Sequence, residues 1–167
     1  HLSIDENKLR KLPESIGKLQ NADYLSFYGN ELTEIPETIC NLKDLEVLDL
    51  RKNQLTQIPK KIGELQTLKL LAIAENQLKH LPDSISNLSL LEELHAFNNN
   101  LENLPESIGN LTSLRALYLD HNRLSELPDS FINLKSLEVL SLEKNLFKEV
   151  LEALKKLNLS KALELSW

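Results

Sequence analysis

Apolar residues return along this chain in one fixed frame, clearest in Leu45-x-x-Leu48-x-Leu50-x-x-Asn53-x-Leu55-x-x-Ile58-Pro59-x-x-Ile62-x-x-Leu65. The frame recurs every 23 residues, and its asparagine keeps the count: Asn7, Asn30, Asn53, Asn76, Asn99, Asn122 and Asn145. A period of this length across nearly all of 167 residues predicts stacked copies of one supersecondary unit rather than a globule. A lone unit buries too little apolar surface to offset the entropy of ordering its backbone, so stacking on a neighbour is obligatory.

The local pattern predicts the parts of each unit. Before each asparagine, as in Val47-Leu48-Asp49-Leu50-Arg51, apolar and variable residues alternate, the signature of a half-buried strand. Seven such segments running the same way predict a parallel ladder roughly 30 Å long. The asparagine side chain both donates and accepts, so the seven are expected to form an internal hydrogen-bonded ladder where the chain turns. Six residues later stands a proline in each of the first six units: Pro13, Pro36, Pro59, Pro82, Pro105 and Pro128. Proline suits a bend or the first turn of a helix. An acid follows in five of the six (Glu14, Glu37, Asp83, Glu106 and Asp129), with Lys60 the exception. Negative charge there favours a short helical or 3₁₀ turn on the outer face.

The last unit departs from the frame. Leu151 replaces the proline, and Phe147, Val150, Leu151, Leu154 and Leu157 follow helical spacing. This predicts an amphipathic capping helix over roughly 147–157. Counting on by 23 places an eighth strand at Leu163 and Leu165, with Trp167 beside it. The first residue, His1, falls inside a repeat, so the chain is expected to be a fragment or processed product; a missing signal peptide then carries no information.

Composition narrows the function classes. The formal charge of −6 argues against general nucleic-acid binding, which needs a basic stripe. No apolar run approaches the roughly 20 residues that span a bilayer. The one cysteine, Cys40, excludes an internal disulfide framework; it takes the outer-turn position of Gly17 and Gly63 and is expected to be a packed, inert thiol.

The frame L-x-x-L-x-L-x-x-N-x-L-x-x-L/I-P-x-x-I-x-x-L resembles the leucine-rich repeat family, nearest its 23-residue form with Leu/Ile-Pro after the asparagine. The resemblance covers about residues 2–157, with mild departures at Ala22, Phe27, Ala96 and Phe131. It implies an α/β fold: a curved solenoid with a parallel β-sheet on its concave face and short helical or 3₁₀ turns on its convex face. It also implies a single domain, 1–167, of about seven repeats, with 146–167 forming the capping helix and terminal strand. Similar units are frequent in bacterial surface or secreted proteins, including those of spirochaetes, and resemble eukaryotic Ras-binding and polarity scaffolds. The family usually binds other proteins and shares no catalytic residues.

The positions that the frame leaves free point outward from the strands. Two before each asparagine stand Asp5, Tyr28, Arg51, Ala74, Phe97, Asp120 and Glu143; four before stand Ser3, Ser26, Asp49, Ala72, His95, Tyr118 and Ser141; six before stand His1, Tyr24, Val47, Leu70, Glu93, Ala116 and Val139; one before stand Glu6, Gly29, Lys52, Glu75, Asn98, His121 and Lys144. All three tyrosines and three of the four histidines fall on this surface. Aromatics there give large contact area at low entropic cost. Phe97 is expected beside Tyr118 and His95, flanked by Glu93, Asp120 and His121. Tyr24 and Tyr28 are expected beside Arg51, Val47 and Leu70. Acids outnumber bases on this face, which reads either as a solvated surface or as preference for a basic or mixed-charge partner.

Other chemistry finds little support. His95 and His121 lie out of step, roughly 11 Å apart by strand rise and spacing, awkward for one zinc at about 2 Å from each ligand. Ser3, Ser26 and Ser141 have no oriented histidine and carboxylate. Gly17, Gly63 and Gly109 recur at one outer-turn position and make no phosphate loop. Asn87-Leu-Ser, Asn110-Leu-Thr and Asn158-Leu-Ser match the glycosylation sequon, but the repeat's own Asn-Leu pairing produces the first two. The expectation is therefore a non-enzymatic, monomeric interaction module without cofactor. It would bind a protein partner through Tyr24, Tyr28, Arg51, Glu93, His95, Phe97, Tyr118, Asp120 and His121, without nucleic acid or membrane insertion, in a secreted or cell-surface setting ahead of a cytoplasmic one. The alternatives are a targeting domain of a larger effector or signalling enzyme, and a glycan-binding solenoid.

Overall fold

The computed structural model of the chain describes residues 1–148 and the strand at 164–166. One parallel sheet runs in chain order through β1 (Leu2–Ser3), β2 (Tyr24–Ser26), β3 (Val47–Asp49), β4 (Leu70–Ala72), β5 (Glu93–His95), β6 (Ala116–Tyr118), β7 (Val139–Ser141) and β8 (Glu164–Ser166). From β1 to β7 each residue pairs with its equivalent 23 later, as Leu25 with Leu48 and Leu48 with Leu71. The two alternating apolar positions of each strand segment turn into the core; Leu25, Phe27, Leu48, Leu50, Leu94 and Ala96 are fully buried.

Six 3₁₀ turns, Glu14–Lys18, Glu37–Asn41, Ile62–Glu64, Asp83–Asn87, Ile108–Asn110 and Asp129–Asn133, form the opposite face. Pro13, Pro36, Pro82 and Pro128 stand extended immediately before their turns, where the missing proline N–H leaves nothing unsatisfied. At Lys60 an anion arrives from elsewhere. The Glu37 carboxylate of the preceding turn accepts the Lys60 and Lys61 N–H groups at 2.8 and 3.2 Å, supplying the charge that a helical N-terminus favours.

The asparagines form a ladder between units. From Asn30 to Asn145, each Oδ1 accepts the backbone N–H 21 residues earlier at 2.9–3.0 Å. Each Nδ2 donates to the carbonyl 26 residues earlier at 2.8–3.0 Å. Asn7 differs: it is exposed and its Nδ2 donates to the Asp5 carbonyl.

The outer turns follow a doubled period. Gly17, Gly63 and Gly109 are 46 apart, with Cys40, Ser86 and Ile132 at the same position in the alternate units. A Cβ added to those glycines would meet the Thr38, Ser84 and Ser130 carbonyl oxygens at 2.3, 2.0 and 2.0 Å. Turns of units one and two, three and four, and five and six therefore press together in pairs. Cys40 is buried, and burial pushes its thiol up from 9.0 to about 12; the thiol is protonated and packed, as expected.

The end of the stack corrects the sequence reading. Leu165, not Leu163, stands opposite Leu140, an offset of 25 rather than 23 (165 − 140). The chain from β7 to β8 thus holds two residues more than one period, and a count anchored on the earlier units slips. The expected helix beyond residue 148, Leu163 and Trp167 lie outside the described residues. Phe147 packs against the core cluster.

Candidate functional site

The outward positions of the strands form one continuous face, and it carries both aromatic groups that the sequence points to. None of the nine candidate residues is buried in the core: His121 is exposed and the other eight are half-buried. Pleating puts them there, since neighbours along a strand point to opposite sides of the sheet.

The first group spans units one to three. Tyr24 stacks on His1 with ring centroids 4.1 Å apart and planes 7° apart, and lies opposite Val47, itself opposite Leu70. Tyr28 lies level with Arg51, because Phe27 N–H donates to Asp49 and Gly29 N–H to Arg51 across the ladder. Two cations lean over its ring: the Arg51 guanidinium carbon at 5.5 Å and Lys52 Nζ at 5.3 Å from the centroid, distances at which the ring quadrupole attracts charge. Carboxylates hold both in place. Arg51 Nε reaches Asp49 Oδ1 and Oδ2 at 3.0 and 3.1 Å, a bond that raises the guanidinium above its ordinary value. Lys52 pairs with Glu6 at 3.3 Å, and that bond likewise holds the ammonium up.

The Lys52–Glu6 pair skips a whole unit, and Gly29 is the reason it can. Gly29 has φ +67°, and a Cβ there would come within 2.8 Å of Glu6 Cδ. Lys52, Glu6 and Asp49 are thus members of this cluster that the sequence reading did not nominate. Their signal was a separation of 46 residues across a glycine in the row just before the asparagines. Asp5 completes the group. Burial pushes its carboxyl up, but bonds from the Ser26 and Ser3 hydroxyls and the Tyr28 N–H outweigh that and hold it below 3.8.

The second group spans units five and six. His95 Nε2 lies 2.9 Å from Glu93 on the same strand and meets Tyr118 edge-on, centroids 4.8 Å apart at 88°. Asp120 accepts the Ser141 hydroxyl at 2.8 Å. Phe97 departs from expectation: among the described residues no ring pairs with it. Asn98 N–H donates to the Asp120 carbonyl and Glu75 N–H to that of Phe97, so Phe97 lies between Ala74 and Asp120. His95 and Tyr118 are one pleat repeat, about 7 Å, further back along the strands. His95 pairs with Tyr118 in register, which leaves His121 three residues on. Among the described residues no three of His, Cys, Asp and Glu are grouped to hold a metal ion.

One backbone feature runs along the edge of both groups. The residue before each asparagine is left-handed: Glu6, Lys52, Glu75, Asn98, His121 and Lys144 at φ 50–56°, with Gly29 at 67°. That conformation turns the chain into the asparagine ladder at a cost of about 1 kcal/mol for a residue with a Cβ.

Comparison with known proteins supports the geometry. The leucine-rich repeat family model matches residues 1–55, 43–101, 98–147 and 112–167. A leucine-rich repeat protein of Leptospira interrogans is 28% identical with a TM-score of 0.56, over 97% of this chain and 53% of that one. An internalin from Listeria monocytogenes has a TM-score of 0.80 at 22% identity, over 99% of this chain and 48% of that one. The functional domain of InlJ from Listeria monocytogenes, which includes a cysteine ladder, has a TM-score of 0.72 at 25% identity, over 83% of this chain and 28% of that one. The chain thus spans about half the length of the first two. A search of curated proteins returns no match. Repeat length, strand register, asparagine ladder and family match agree, and the chain belongs to the leucine-rich repeat family.

Proposed function

We propose that this chain is a protein-recognition module, one domain acting as a monomer, that binds its partner on the concave sheet face without catalysing a reaction. One observation carries the reading: tyrosine and histidine rings and charges are concentrated on the outward rows, mostly half-exposed, while uncharged apolar side chains, Phe27 among them, fill the inward rows. Such rings offer contact area already restrained by their neighbours, so little ordering entropy remains to be lost on binding. We place the same module in a secreted or cell-surface setting ahead of a cytoplasmic one. The partner-binding residues are Tyr24, Tyr28, Arg51, Glu93, His95, Phe97, Tyr118, Asp120 and His121.

The test replaces His95, Phe97 and Tyr118 together by alanine. These side chains are not part of the core, so circular dichroism is expected to stay unchanged. A partner captured by the unaltered chain should be lost. Retention of that partner at full affinity would refute the assignment.

A further inference from the structure

The chain contains its own template for what the second aromatic group lacks. Tyr28 and Phe97 occupy the same row three units apart (97 − 28 = 69), and Glu6 and Glu75 likewise (75 − 6 = 69). Ring and carboxylate are therefore common to both places. The cations are not. Level with Tyr28, and next along, stand Arg51 and Lys52, both over the ring; the same two positions beside Phe97 are Asp120 and His121. In units four to six, the rows six, four, two and one before the asparagine contain no lysine or arginine. Lys69 and Arg115, one position further back, are already bound to Glu46 and Glu138 at 2.9 Å. Among the described residues Asp120 has the Ser141 hydroxyl and no cation, Glu93 has His95, and Glu75 has no ion pair.

We propose that the protein partner of this face presents a lysine or arginine that occupies, over Phe97, the place that Arg51 and Lys52 fill over Tyr28. The inference rests on the protein-recognition reading above and adds the chemistry of the ligand. The side-chain stem would cover the ring while the charge lies toward Glu75 and Asp120. A cation is attracted both by the ring face and by carboxylates that have no counter-charge of their own. The equivalent place over Tyr28 is already filled, because Arg51 and Lys52 lie over that ring and are held there by Asp49 and Glu6. The docking site is thus confined to the second half of a sheet whose backbone is uniform.

The experiment is a backbone-amide NMR titration of the full chain at low salt with a tetra-arginine peptide, using tetraglutamate and tetraglutamine as controls. Tetra-arginine is expected to shift amides near Phe97, Tyr118 and Asp120, and the controls are not. Raising salt to about 1 M, where screening acts over about 3 Å, should weaken the response. Asp120→Arg with His121→Lys writes the unit-three cations into unit six and should weaken binding about tenfold, the worth of one well-placed cation on a ring. Asp120→Asn should weaken it less. Arg51→Ala with Lys52→Ala uncovers Tyr28 and should add a second responding region around units one to three. No response to tetra-arginine, equal response to all three peptides, or no second region in that variant overturns the inference. If the triple alanine variant still loses its captured protein in that case, the recognition reading stands and only the cationic ligand falls.

Discussion

Asn76→Ala isolates what the asparagine ladder contributes to stacking. Asn76 is buried and joins unit three to unit four. Its Oδ1 accepts Leu55 N–H at 2.9 Å, and its Nδ2 donates to Leu50 at 3.0 Å and to Ile73 and Ala74 at 3.1 Å. The four losses are unequal. Leu50 keeps a bond from Asn53, Ile73 one from Asn99, and Ala74 one from Lys52 N–H. Leu55 N–H has only Asn76 and becomes a buried donor without a partner. That orphan costs about 1–3 kcal/mol, and the lost bond to Leu50 about 1 more, so the variant should lose about 2–4 kcal/mol. Urea unfolding followed by circular dichroism reads the loss as a lower midpoint. Asn7→Ala is the control, since Asn7 is exposed and bonds only the Asp5 carbonyl, and it should change stability by less than about 0.5 kcal/mol. Asn76→Asp separates acceptor from donor: it can still take Leu55 N–H but turns a carboxylate toward three carbonyls, and it should be no better than alanine. Equal losses for Asn76→Ala and Asn7→Ala would refute the reasoning.

Three more outcomes follow from packing and titration. Gly63→Ala brings a Cβ within 2.0 Å of the Ser84 carbonyl oxygen, and backbone cannot yield as a side chain can, so urea unfolding should show a loss of about 2 kcal/mol or more; Ser86→Ala, at the same position one unit on, should cost less than half as much. Thr67, Ser113 and Ser136 each donate to the carbonyl 24 residues earlier at 2.7 Å, whereas Leu90 interrupts that row and is 48% exposed. Leu90→Thr should restore the rung to Gln66 and raise stability by about 0.5 kcal/mol; a lowered urea midpoint would count against it. For Cys40, the folded thiol is pushed up to about 12 against an ordinary 9.0, so above the ordinary value the unfolded chain loses a proton that the folded chain keeps. Stability contributed by Cys40 is therefore constant below that value and falls between the two, by about 1 kcal/mol near pH 10, and Cys40→Ala should remove this slope while Ellman's reagent leaves the folded thiol unmodified near neutral pH.

Much of the architecture is legible because each structural role falls on a fixed residue of the period. Leu48, Leu50, Asn53 and Leu55 recur in register, so strand, ladder and core position can be assigned by counting, and the outward row then follows from pleating. Counting fails where neighbours are not one period apart. Glu6 and Lys52 meet across two periods because Gly29 leaves the path open, and no nearest-neighbour comparison reveals that. It fails again when the period changes, as at Leu165, where two additional residues move the pairing. Ring contacts were the third gap. Sharing a patch with His95 and Tyr118 did not bring Phe97 against them, since the ladder places it level with Asp120 and one pleat repeat away.

The side chains that hold the stack together are separate from those proposed for recognition, and that separation explains how one half of the sheet can differ from the other. Each leucine from Leu2 to Leu117 keeps its partner 23 residues on through six interfaces, whatever stands on the opposite side of the strand. Arg51 can therefore give way to Asp120 at an equivalent position without disturbing a single ladder bond. The left-handed row makes the same point energetically. Gly29 shows that the fold accepts glycine before the asparagine, yet Glu6, Lys52, Glu75, His121 and Lys144 keep a side chain there against a cost of about 1 kcal/mol each. At Glu6 and Lys52 the return is visible as an ion pair over Tyr28. At Glu75 and His121, which flank Phe97, among the described residues no internal ion pair repays the strain; under the proposed recognition, the partner's cation supplies that return.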